Sequence, residues 1–200
     1  MFETTMLLGT KKESHTIPKI GMLEYESIPI WGFITAHKQY PQLGSPLDPI
    51  EFTKAPYGDG VIQRFGVFNE KINGIITQNP RGHISVIVDD FFRYFNQKEY
   101  NIIGKFGGYP ITMPYHTQNY TILEFPNGDL VLTPDGQIIE LRGEIGRYFS
   151  YMGGYEFFGF PTTDEIWSKT TDQKPFCIQK FTKKSIKYSH GTDGTFFTID

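Results

Sequence analysis

The chain has 200 residues, a net charge of −3, 16% aromatic residues and 38% hydrophobic residues. That length supports one large domain or a short array of small units, with a core that needs neither metal nor disulfide. No segment gathers a basic stripe, the single Cys177 and five scattered histidines offer no metal-ligand spacing, and no run approaches the ~20 apolar residues of a membrane-spanning helix. Nucleic acid, bound metal or other cofactor, and membrane insertion are therefore not expected.

Residues 1–29 mix Lys, Glu, Ser, Thr and Gly with one apolar patch, IGMLEYESIPI. Two readings stay open: an arm that adds a strand to another molecule, or a strand that completes the chain's own sheet. Glu3 stands where a signal peptide carries basic residues, and the apolar run behind it is short. The chain is expected to lack its own export signal, which suits a cytoplasmic protein, a virion component released by lysis, or a domain trimmed from a surface protein.

From residue 30 onward the chain repeats itself. At an offset of 54 residues, Asn73-Gly74, Pro80, Gly82 and Ile84 fall on Asn127-Gly128, Pro134, Gly136 and Ile138, and Arg93-Tyr94-Phe95 falls on Arg147-Tyr148-Phe149. A shared Gly-x-Pro step adds a third copy: QLGSP (42–46), FGGYP (106–110) and FFGFP (157–161). Downstream of each stands a phenylalanine that opens a hairpin: Phe65, Phe125 and Phe181. The units run about 30–88, 89–142 and 143–200 within one repeat domain, 30–200. The first unit carries an insertion near 66–71.

Each unit has one grammar. A short aromatic helix comes first, as in DDFFRYFNQKEY, with Asp89 or Asp90 suited to cap it. The Gly-x-Pro step ends the helix, because glycine opens a backbone shape closed to other residues and proline forbids continuation. A β-meander follows, clearest in TILEF–PNGD–LVLT–PDG–QIIEL, with Asn-Gly and Asp-Gly as tight-turn signals. The fold expected is mainly β with short helices (α+β): tandem repeats of short helix, Gly-x-Pro bend and β-meander, in propeller-like or ring-like packing. Units this small complete their cores only by stacking.

This grammar resembles the LGFP repeat. Residues 153–165, GGYEFFGFPTTDE, are similar to its Gly-Gly…Leu-Gly-Phe-Pro-Thr-Thr-Asp-Glu core, with Phe158 in place of Leu. Residues 125–143 look like its hairpin and the return to the next helix. The second copy lacks Thr-Thr-Asp-Glu, and the first keeps only LGSP and a Leu-Asp step. The resemblance implies a non-catalytic module of bacterial cell-surface proteins that anchors to wall polysaccharide, with no catalytic residue to carry over.

The residues themselves offer no nucleophile–base–orienter set and no glycine-rich phosphate loop. The histidines read as satisfied or solvent-exposed groups, with His37 and His116 weighed as bases and set aside. Cys177, between Phe176 and Ile178, reads as a small buried hydrophobe. Lys180, Lys183, Lys184 and Lys187 read as a solvated hairpin tip. Asp164 and Glu165 have two readings: a side chain that holds the local turn through nearby backbone N–H groups, or a contact to sugar hydroxyls. Trp167, Tyr155, Tyr40 and Tyr109, all near the Gly-x-Pro steps, have two as well: packing between units, or an apolar platform for a pyranose. The functions expected are thus attachment to envelope polysaccharide, or assembly and host adhesion within a larger particle such as a phage tail, with 1–29 meeting a neighbouring subunit. No enzymatic activity is expected.

Overall fold

The computed structural model describes residues 30–55, 58–67, 71–98, 101–191 and 194–200; residues 1–29, with their arm or strand, lie outside the described residues. The architecture is mainly β with a few short helices, an α+β arrangement of three separate antiparallel sheets. Among the described residues no closed barrel or propeller is formed. Two compact units divide the chain: Met1–Gly104 with Gly108–Met113, and Lys105–Gly107 with Pro114–Asp200.

The first unit holds α1 (Ile30–Gln39) and a sheet of β1 (Ser45–Pro46), β2 (Glu51–Ala55), β3 (Gly58–Val67), β4 (Lys71–Gln78) and β5 (Ile84–Val88), followed by α2 (Asp89–Lys98). Alternation along the strands gives the sheet two apolar faces. One buries Val61, Phe65, Ile76 and Val86 against Phe33 and Ala36 of α1 and against Leu43. On the other, Ile62 and Ile75 line a small cavity together with Phe92 and Phe95 of α2. The insertion read near 66–71 appears as a bulge between Phe65 and Gly66, after which β3 and β4 pair out to Val67 opposite Lys71. Asn73-Gly74 is therefore not the tight turn its sequence suggests: it lies inside β4, with Gly74 opposite Phe65.

The second unit holds two sheets. The earlier comprises β6 (Tyr115–Thr117), β7 (Tyr120–Phe125), β8 (Gly128–Leu132) and β9 (Ile138–Arg142). Here Asn127-Gly128 does turn the chain, since the two-residue loop leaves Phe125 opposite Gly128. After α4 (Gly143–Tyr151) and α5 (Gly154–Phe158) comes the last sheet: β10 (Ile166–Lys169), β11 (Pro175–Lys180), β12 (Ser185–Gly191) and β13 (Gly194–Ile199). α4 packs against β8, β9 and β12. Leu141, Ile145, Phe149, Phe158, Cys177, Phe181 and Ile186 form the core, with Phe149 stacked on both Phe158 and Phe181.

Local geometry recurs along the chain. Residues 54 apart give β5 and β9 matching spans, and α2 and α4 start at matching positions, Asp89 and Gly143, both with left-handed φ (51° and 65°). The turns match as well: Asn79 and Thr133 each donate an N–H across the turn, to His83 O and Gln137 O, and accept from Gly82 and Gly136. At the step glycines, Gly44 has φ 82°, ψ −149° and Gly159 has φ 78°, ψ −161°, a region open essentially to glycine alone. In FGGYP both glycines have positive φ, and Gly107 (76°) matches Gly44 and Gly159 more closely than Gly108 (139°), so the bend there precedes Pro110 by one more residue than the FGGYP alignment implies. The residue before each bend, Leu43, Phe106 or Phe158, is fully buried. Its carbonyl accepts from the hairpin beyond, through Asn73 Nδ2 (3.3 Å), Asn127 N (3.0 Å) or Lys183 N (3.0 Å). Pro46 pairs with Phe65 and Pro161 with Phe181.

Candidate functional site

The Thr-Thr-Asp-Glu stretch after Pro161 is a clamp between strands, and its reach is long. Thr163 Oγ1 accepts from Lys180 N (3.1 Å), and Asp164 Oδ1 accepts from Glu140 N (3.0 Å). Buried Gln179 donates Nε2 to both Thr163 O and Glu140 O at 3.0 Å. The side chains thus bind backbone N–H groups 17 and 24 residues away, tying β9 to β11, and not the nearby N–H groups read from the sequence. The first copy builds the same clamp from other atoms: Asp48 Oδ1 accepts from Arg64 N at 3.0 Å, and buried Gln63 donates to Asp48 O at 3.0 Å. The second copy places Leu123 where Gln63 and Gln179 stand, two residues before the hairpin phenylalanine, and it lacks Thr-Thr-Asp-Glu.

Asp164, Glu165 and Trp167 come together at the end of this clamp. All four residues of β10 are exposed, and β10 is the edge of its sheet. Trp167 is 61% exposed, so the packing reading fails for it: an edge strand with no layer above leaves the indole in water. The Glu165 carboxylate lies near enough to interact with it. Burial raises the Glu165 carboxyl above its usual range, opposed by Arg142 and by the nearby Trp167 indole. Arg142 in turn donates Nε to Glu140 (2.7 Å), and Lys105 stands 3.7 Å from that carboxylate. The result is an exposed aromatic face rimmed by carboxylates whose charge is partly balanced.

The other predicted residues lie elsewhere. Tyr109 is 1% exposed, in the first unit, and its ring packs where any side chain at Gly60 would stand. Tyr40 packs against the first unit's core. Tyr155 packs edge-on to Phe149 and against Phe160, and its O–H donates to Asp129 Oδ2 at 2.6 Å.

That last bond leads to a cluster the sequence reading missed. Glu124 and Asp129 are direct cross-strand partners on β7 and β8, and each accepts a phenol: Tyr115 O–H to Glu124 at 2.5 Å, Tyr155 O–H to Asp129. Two carboxylates facing each other across a ladder repel. Burial pushes Asp129 up to about 6, the Tyr155 hydrogen bond lowers it, and Glu124 raises it further. Burial likewise raises both Tyr115 and Tyr155 far above the usual tyrosine value. The hydrogen bonds satisfy the pair internally and pin α5 to the second sheet. The signal was present in EFPNGD: a two-residue Pro-Asn loop puts Glu and Asp opposite each other.

The remaining readings resolve as packing or pairing. Cys177 is buried, and burial lifts its thiol to about 11. The lysine tip is not simply solvated: Lys183 Nζ donates to Glu156 O, Lys184 lies over Phe157, and Lys187 lies over Phe176. His37 bonds Gly44 O at 2.6 Å and stacks on Phe65, and His116 bonds Thr121 at 2.8 Å. Among the described residues no cluster of three or more His, Cys, Asp or Glu is placed to hold a metal, and no helix is long and apolar enough to cross a membrane. Comparison with known proteins finds no matching family model and no matching curated protein.

Proposed function

We propose that the protein is a non-enzymatic attachment module built from three LGFP-like repeats, and that it binds cell-envelope polysaccharide through the Trp167 face. The carrying observation is the exposed indole beside Glu165 at a sheet edge. An exposed aromatic face stacks on the apolar C–H face of a pyranose, and the nearby Glu165 and Asp164 carboxylates accept sugar hydroxyls. The repeat reading draws support from the shared step glycines, clamps and turns.

The test is co-sedimentation with purified bacterial cell walls. Wild type is expected in the pellet, and folded Trp167→Ala in the pellet in a markedly smaller fraction. Equal sedimentation of the two would refute the Trp167 assignment.

A second reading, subunit docking within a particle, is favoured by the same edge strand, since Ile166 and Trp167 leave apolar surface beside unpaired ladder groups. It predicts no wall binding and stoichiometric presence of the chain in a purified particle.

A further inference from the structure

The first unit contains a cleft of about 670 Å³ between the start of β4 and α2, well within the size of small-ligand sites. Its walls carry four carboxamides: Gln42 and Asn73 on one side, Asn96 and Gln97 on the other. Asn73 commits its Nδ2 to the carbonyls of Gln42 and Leu43. That fixes the side chain and leaves the amide oxygen to accept. Asn96 and Gln97 are exposed on α2, and each brings donors and an acceptor. Lys71 and Asp89 add one charge of each sign, and Arg93 is paired with Asp90. A lining this close to neutral suits an uncharged polar ligand.

Behind the cleft lies an annex of about 170 Å³ that shares Ile72, Phe92 and Asn96 with it. Ile62, Ile75 and Phe95 make the annex apolar, and the Arg64 guanidinium at its border is neutralised by Asp48 at 2.7 Å. The annex has room for a small apolar substituent such as an acyl methyl.

The fold does not require these side chains. At the 54-residue offset the next copy replaces Phe92, Asn96 and Gln97 with Gly146, Ser150 and Tyr151 on a helix that begins at the matching position.

We propose that this cleft binds an N-acylated amino sugar, with ring hydroxyls and the acylamide on Asn73, Asn96 and Gln97, and the acyl methyl in the annex between Phe92 and Phe95. The site deepens the polysaccharide reading by naming a sugar class, yet it stands on residues distinct from Trp167.

Isothermal titration of the full chain with chitobiose, and separately with cellobiose, tests it. Chitobiose is expected to bind at least about tenfold more tightly than cellobiose. Asn96→Ala, with its circular dichroism unchanged, is expected to weaken chitobiose about tenfold, as loss of one good hydrogen bond does. Trp167→Ala should leave this titration unaltered. Absent chitobiose binding, equal binding of both disaccharides, or indifference to Asn96→Ala overturns the cleft assignment. So does preferential binding of a wall stem peptide. Chitobiose affinity lost in Trp167→Ala but kept in Asn96→Ala would sink the cleft and leave the Trp167 reading standing. The reverse pattern upholds the cleft and removes Trp167 as the contact for this sugar.

Discussion

Substituting Gly159 tests the bend that joins α5 to the last sheet. Its φ of 78° and ψ of −161° lie where a side chain costs about 1–3 kcal/mol in backbone strain. A Cβ at this position would stand 2.0 Å from Thr182 Oγ1 and 3.3 Å from Lys183 N. Thr182 must then turn away, losing the 3.1 Å bond from Phe160 N, about 1 kcal/mol more. Gly159→Ala is therefore expected to cost about 2–4 kcal/mol, and Gly159→Val more still. Gly136→Ala is the control: φ is 82°, but nothing lies within 4 Å of the added carbon, so about 1 kcal/mol of strain acts alone. Urea unfolding followed by far-ultraviolet circular dichroism reads both. A Gly159→Ala loss no larger than that of Gly136→Ala would refute the claim that the bend is sterically closed by the hairpin.

Other consequences follow from the clamp, the acid pair and the thiol. Thr163→Val removes the acceptor for Lys180 N and is expected to cost about 1 kcal/mol in the same urea assay; a neutral result would mean the clamp carries no stability. Asp129 has a folded-state pKa raised from 3.8 to about 6. The folded state therefore holds the proton more tightly, and this group's contribution to stability is full below 3.8 and is lost as pH rises through about 6. Asp129→Asn should flatten that step in the urea midpoint between pH 4 and 7, and an unchanged step would show that another group causes it. Cys177 should react with a thiol reagent such as DTNB only after unfolding, because it is buried and its pKa is lifted to about 11. Rapid labelling of the native protein would contradict this placement.

The fold was legible where spacing and turn chemistry agree. The 54-residue offset placed α2 and α4, and the Asn127-Gly128 and Asp135-Gly136 turns fell where their residue types require. It failed at Asn73-Gly74, because the bulge beside Phe65 shifts the reversal and no local signal marks a bulge one strand away. The second bend was misplaced by one residue because FGGYP has two glycines, and only the buried Phe106 decides which one matches Gly44 and Gly159. Of the predicted rim, Asp164, Glu165 and Trp167 share one surface because they are neighbours in sequence. Tyr109 and Tyr40 were drawn in by their proximity to proline, yet proximity along the chain does not set which way a ring points, and both pack inward. The Glu124–Asp129 pair was missed because two acids on different strands look isolated until the hairpin register is worked out.

The chain has two tryptophans, so Trp31→Phe leaves Trp167 as the only indole. Fluorescence titration of that variant with solubilised wall polysaccharide tests the central claim most directly. A saturable blue shift and intensity change are expected as the exposed ring leaves water. An unchanged spectrum, while the protein still co-sediments with walls, would show that attachment does not use the Trp167 face.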